Sequence, residues 1–285
     1  MSAYSDAIQA GHQRRGEGRH AEGRAEFERA LSLASNDDER GNAHLQVGWA
    51  FCAEGQHLQG AAAFERAAGL GGLEPQQRSQ GQFSAGHCYW HAQRHAEAKA
   101  AFEKVLSLSG AGPWHKSGAL ASIGHLLTGE GKPRYREARA YFERAVKSDG
   151  AHPHNVSDAL SMLGNLYWWE SADRYWREAR AAYEKAVNSP GGHPHHQSHA
   201  QNMVAHTYRH EGNYAVSLEE FRKTLAMELG HPHHKSEAQL HLGIIYFDLQ
   251  NHPRAREELG KVASMPMAHE DSVRRAQDYL GRIKA

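Results

Sequence analysis

Histidine is the residue type that stands out, with 23 in 285 positions. His87 with His91, and His206 with His210, are i, i+4 pairs. On a helix that spacing points two imidazoles at one ion. With Asp248 as the nearest expected carboxylate, His206 and His210 make a two-histidine, one-carboxylate set suited to a divalent transition metal (Zn, Ni, Cu or Fe) with positions left open. Against that reading, the chain has no HExxH motif, and helices packed about 8–10 Å apart strain coordination between neighbours. A second cluster lies in HPH at His152–His154 and HPHH at His193–His196 and His231–His234. Stacked connectors would align His154, His195 and His233 as a ladder, read as exposed helix starts, weak metal capture or a pH-dependent edge.

Other chemistry has no motif. Gly131-Lys132 lacks a glycine five residues earlier, where Leu126 stands, so there is no phosphate-binding loop. GxSxG and GxGxxG are absent as well, so no cofactor other than a metal is expected, and enzyme activity has no sequence support. Lys plus Arg and Asp plus Glu both number 33, which supplies no field for nucleic acid or an anionic membrane. Below about pH 6 the histidines would make the chain strongly cationic. No leader and no membrane-length apolar run is evident, and Cys52 and Cys88 lie outside CxxC contexts. They read as reduced thiols in a cytoplasmic protein.

The elements that must position the histidines repeat along the chain. An aromatic in an AxxxF/Y setting recurs at Phe27, Phe64, Phe102, Phe142, Tyr183 and Phe221, with Leu259 seventh. A small residue followed three later by a large one keeps step at Gly48/Phe51, Gly86/Tyr89, Gly124/Leu127, Gly164/Tyr167, Ala205/Tyr208 and Gly243/Tyr246. Each unit reads as two helices at the 3.6-residue period, the small residues letting the backbones approach and the aromatics filling the gap. Seven repeats follow, at about 4–36, 37–74, 75–112, 113–152, 153–193, 194–231 and 232–267, with a capping helix in 268–285. Proline stands four residues before serine at Pro75, Pro113, Pro153, Pro194 and Pro232, where the first helical turn tolerates it. The insertions KPRY (Lys132–Tyr135) and ADRYW (Ala172–Trp176) should form longer turns.

This register resembles the tetratricopeptide repeat over almost the whole chain, and the long units are similar to Pins-type and kinesin-light-chain-type arrays. The usual early Trp is absent, being His44, Gln82, Leu120, Leu160, Gln201 and Gln239. The resemblance implies an all-α right-handed solenoid whose first helices line a concave groove. That face carries Trp49, His87, Trp90, His91, His125, Asn165, Trp168, Trp169, Asn202, His206, Arg209, His210 and Phe247. Asn165 coincides with the position many peptide-binding members use to hold a ligand backbone. The expected partner is an extended peptide or protein segment, with the tryptophans as anchors and Arg209 available to a carboxylate. A divalent transition-metal-binding protein or unusual metalloenzyme using the groove histidines, and an arm of a homo-oligomer, are the competing readings.

Overall fold

The computed structural model describes residues 2–283, so residues 1, 284 and 285 of the expected repeat and cap ranges lie outside the described residues. All regular structure among the described residues is helical. The helices are α1 (Ala3–Gly16), α2 (His20–Leu33), α3 (Asp37–Ala53), α4 (His57–Gly69), α5 (Pro75–His91), α6 (His95–Ser107) and α7 (Pro113–Gly129), followed by α8 (Tyr135–Lys147), α9 (Pro153–Val187), α10 (Pro194–His210), α11 (Tyr214–Ala226), α12 (Pro232–Asp248), α13 (His252–Val262) and α14 (Glu270–Arg282). The chain is thus an all-α helical-repeat solenoid. It divides into two compact units, the first running to Glu130 and including Ser148–Ala151, the second comprising Gly131–Lys147 and the described residues from His152 onward.

Small residues and aromatics meet as their register requires. A Cβ added to Gly48 would lie 2.7 Å from the Phe64 ring. Gly11 faces Phe27, Gly86 faces Phe102, Gly164 faces Tyr183 and Gly243 faces Leu259 at similarly close quarters. The facing rings and Leu259 are completely buried or nearly so. These five hairpins therefore each close over one large side chain that a bare backbone accommodates.

The connectors have a repeated hydrogen-bond device. In HPH, the first histidine is the helix N-cap: Nδ1 of His152, His193 and His231 accepts from the backbone N–H two residues on, at 3.3, 3.2 and 3.3 Å. The proline that follows has no N–H to leave orphaned. The serine four residues after the proline is buried. Its hydroxyl donates back to its own helix, as Ser198 Oγ does to Pro194 O at 2.8 Å. It also accepts from the next connector: His193 N–H to Ser157 Oγ (3.0 Å), His231 N–H to Ser198 Oγ (3.2 Å) and His269 N–H to Ser236 Oγ (3.2 Å). Ser157, Ser198 and Ser236 thus each stitch two successive repeats together.

The two insertions differ from the expected long turns. KPRY forms one 3-10 turn at Lys132–Arg134, and ADRYW is absorbed into helix. α9 runs for 35 residues and breaks its helical geometry only at Ser171 (φ −167°, ψ 104°) and Tyr175 (φ −119°, ψ 18°). Comparable hairpins turn on a left-handed residue, at Gly18, Gly55, Gly131, Gly212, Gln93 or Gln250. No residue of ESADRYW takes that left-handed conformation, so the first helix is not cut off cleanly. α14 closes the array, with Ala276 and Ile283 buried and Val273, Tyr279 and Leu280 packed on the core of the last repeats.

Two substitutions probe this frame. Gly48→Val should lower stability by about 1–3 kcal/mol through overpacking against Phe64. Ser198→Ala, which orphans the His231 N–H, should cost about 1–3 kcal/mol. Urea unfolding of the purified variants reads both, and wild-type midpoints would contradict the packing and the stitch respectively.

Candidate functional site

In the first unit, α3, α5 and the start of α7 line a cleft of about 510 Å³. Its walls include Trp49, Phe83, His87, His91 and Trp114. Helix spacing sets these rings against one another: Trp49 edge-on to Phe64 at 5.9 Å, Phe83 to His87 at 4.6 Å and Phe83 to Trp114 at 5.1 Å. Trp90 stacks on His87 at 6.1 Å, with His125 also 6.1 Å away. Burial first, then the neighbouring His91 and His125, lower the His87 imidazole to about 4, so it is neutral at pH 7. The cleft is aromatic, uncharged and furnished with imidazole donors and acceptors.

At its floor the two cysteines are joined, which corrects the expectation of reduced thiols. Cys52 on α3 and Cys88 on α5 form a disulfide with Cα atoms 7.0 Å apart. The sulfurs meet because repeat stacking sets the ends of α3 and α5 side by side over Gly60, where a Cβ would lie 2.6 Å from Cys52 Sγ. The thiol argument for a cytoplasmic location falls away with this bond.

In the second unit the first helices carry a buried polar network. Asn165 is 8% exposed, and its Oδ1 accepts from Tyr183 OH at 2.8 Å and lies 3.2 Å from His199 Nε2. That oxygen braces its own repeat against the next. Asn202 Nδ2 donates to His234 O (2.9 Å) and to Glu237 Oε2 (3.1 Å). His206 lies between Phe221 (5.1 Å) and His241 (4.4 Å). Burial lowers the His206 imidazole to about 4 and holds His241 well below its ordinary value. Burial works to raise the Glu237 carboxyl, but His234, His206, His241 and Asn202 beside it hold it down at about 2. Glu237 is therefore an anion beside the lowered imidazoles of His206 and His241.

The metal set expected from the sequence is not brought together. His206 converges with Glu237 and His241. His210 Nε2 lies 3.1 Å from an Asp173 carboxylate oxygen, and its ring packs on Trp168 at 5.3 Å. Asp248 accepts from Arg209 at 2.7 Å. A helical i, i+4 spacing fixes the side of the helix but not which neighbour each ring meets. Arg209, engaged by Asp248 and 3.3 Å from His241 Nδ1, is likewise occupied within the array. His87 and His91 also part company, His91 stacking on His57 at 5.2 Å while His87 packs in the aromatic wall. Phe247, placed on the open face from its register, is covered by α14: its ring lies 5.2 Å from Tyr279 and under Arg282. Trp169 is exposed, 6.4 Å from Tyr135. His57, Trp114 and His241 carry site contacts that the register did not select. Trp114 came closest to being legible, as the one aromatic directly after a connector proline.

Groups of donors that could hold a metal are Cys52/His57/Cys88, His195/His231/His234, His206/Glu237/His241 and His233/His234/Glu237. The disulfide occupies the first, and Arg209 crowds the third with positive charge. The connector ladder is staggered rather than aligned, because each ring meets the next connector's cap: His154 meets His193 at 5.0 Å, and His195 meets His231 at 4.9 Å and His234 at 4.7 Å.

Three imidazoles hold back from the charging expected below about pH 6. His87, His199 and His206 sit near 4 in the folded chain, against about 6.5 unfolded. The unfolded state then binds more protons in that window. Their contribution is present above about pH 6.5 and lost as pH falls towards 4. Urea unfolding across this range should show falling stability, and His206→Gln should flatten the slope by about 1.4 kcal/mol per pH unit. An unchanged slope would mean that His206 titrates normally.

Models of the tetratricopeptide repeat match residues 79–111 and 203–264. No curated protein matches the chain. Among solved structures, a tetratricopeptide repeat protein from Parabacteroides merdae is 15% identical, each chain being covered to 98%, with a TM-score of 0.53. The C-terminal part of a TPR repeat-containing protein from Cytophaga hutchinsonii is 9% identical over 94% of this chain and 98% of that one, with a TM-score of 0.62. Pseudomonas aeruginosa pilF is 14% identical over 87% of this chain and 97% of its own, with a TM-score of 0.56. At such identities the likeness is one of fold. With paired helices closing glycine over an aromatic and repeat models matched in both units, the chain carries tetratricopeptide repeats at residues 79–111 and 203–264 and shares the fold of tetratricopeptide repeat proteins.

Proposed function

We propose that the chain is a protein-interaction repeat protein whose first unit takes an extended peptide or protein segment across α3, α5 and the start of α7. The observation that carries this reading is the 510 Å³ cleft, whose walls are aromatic and imidazole side chains rather than lysine and glutamate. Tetratricopeptide repeats generally mediate protein–protein contact. A cleft of this size suits one large apolar or aromatic side chain of the segment, packed among Trp49, Phe83 and Trp114. Around it, His87 and His91 offer ring nitrogens to the segment's backbone N–H and C=O groups. Rigid rings lose little entropy on binding, which favours them as anchors. In the second unit Trp168 and His210 form a further aromatic pair, while Asn165 and Arg209 serve the array itself. With no excess of either charge, the segment need not be strongly acidic or basic.

Selection of a random peptide display library on the immobilised full chain tests the reading. Enriched peptides should share one aromatic or large aliphatic position, and Trp49→Ala with Trp114→Ala should weaken them by roughly tenfold or more while far-UV circular dichroism is retained. Failure of any peptide to enrich, or equal affinity for the double variant, would remove the cleft as a binding site.

A further inference from the structure

We infer that the edge formed by the starts of α10 and α12 is a binding site for a divalent transition metal of the zinc type, held by His195, His231 and His234. It shares no residue with the peptide cleft and does not rest on that reading. Ligand nitrogens of the three histidines lie within 4.8 Å of one another. His195 and His231 are exposed, so modest rotation brings their nitrogens onto an ion at the usual distance of about 2.0–2.1 Å.

The decisive residue is His234. It is only 5% exposed, and neither ring nitrogen has a hydrogen-bond partner. Protein interiors rarely leave a buried imidazole so unsatisfied. An ion on Nε2, with the proton held on Nδ1, satisfies both atoms. Glu237 stands where this arrangement needs a carboxylate, its Oε2 3.7 Å from His234 Nδ1. Asn202 grips that carboxylate and the His234 carbonyl with one amide, at 3.1 and 2.9 Å. Metal-bound histidines are commonly oriented by such a carboxylate on the other nitrogen.

His231 makes one exchange. Its Nδ1 accepts the 3.3 Å cap bond from the His233 N–H, and binding the metal through either ring nitrogen gives up that long bond, because a free Nε2 needs the proton on Nδ1. Three neutral imidazoles favour zinc, copper or nickel over magnesium or calcium, which require oxygen ligands. A fourth position is left for water or another ligand.

Untagged full-length chain, purified without a metal-affinity resin and stripped with chelator, is titrated with zinc chloride in a calorimeter, with magnesium chloride as the control. The expected result is about one zinc per chain, no magnesium heat, and affinity weakened about tenfold or more in both His195→Ala and His234→Phe. His195 is exposed, so its variant reads binding even where His234→Phe fails to fold. His154→Ala, on the same edge but outside the three, should bind as wild type does. A wild-type chain without a stoichiometric site, unchanged affinity in His195→Ala, or an equal loss in His154→Ala overturns the site.

Discussion

The structure depends on one steric constraint: in five of its hairpins the bare backbone of one helix must come close enough to bury a large side chain of the other. At Gly48 a single added methyl would collide with Phe64, and the same collision awaits at Gly11, Gly86, Gly164 and Gly243. The buried ring supplies most of the apolar area a small repeat can offer, and the missing Cβ makes it reachable. Alternating small and large residues is therefore the geometry of the array, and the serine stitches repeat with it because they join connectors that this packing sets one above another.

Histidine serves three physical purposes on this frame. In the connectors it caps helices through Nδ1 beside a proline that lacks an N–H. On the inner faces it is a neutral aromatic that packs edge-on against Phe102 or Phe221 while keeping a polar atom. At the edge of α10 and α12 it crowds into a cluster in which one buried ring is left without a hydrogen-bond partner. Burial disfavours the protonated forms of His87, His199 and His206, so these three add no charge at pH 7.

Burial of rings on the inner faces also separates anchors from struts. Residues that look alike in register, such as Asn165 and Trp168, do different work: the asparagine oxygen is consumed by Tyr183 and His199, while the tryptophan meets His210 near the surface. The seventh repeat departs further, since α14 lies over Phe247 and turns a groove position into core.

The sequence by itself determined the all-α class, the period and the pairing of small with large residues, because helical periodicity and close packing act on neighbours within one repeat. Phe27 through Leu259 could be aligned by eye for that reason. Only the tertiary structure decided which histidine meets which. His206 pairs with Glu237 and His241 rather than with His210 and Asp248, Cys52 reaches Cys88, and His234 rather than His233 meets His195. Those contacts lie 31 to 39 residues apart. They depend on the rotation between successive repeats and on rotamers chosen by packing. A shift of one helical turn changes every partner while leaving the one-dimensional pattern untouched.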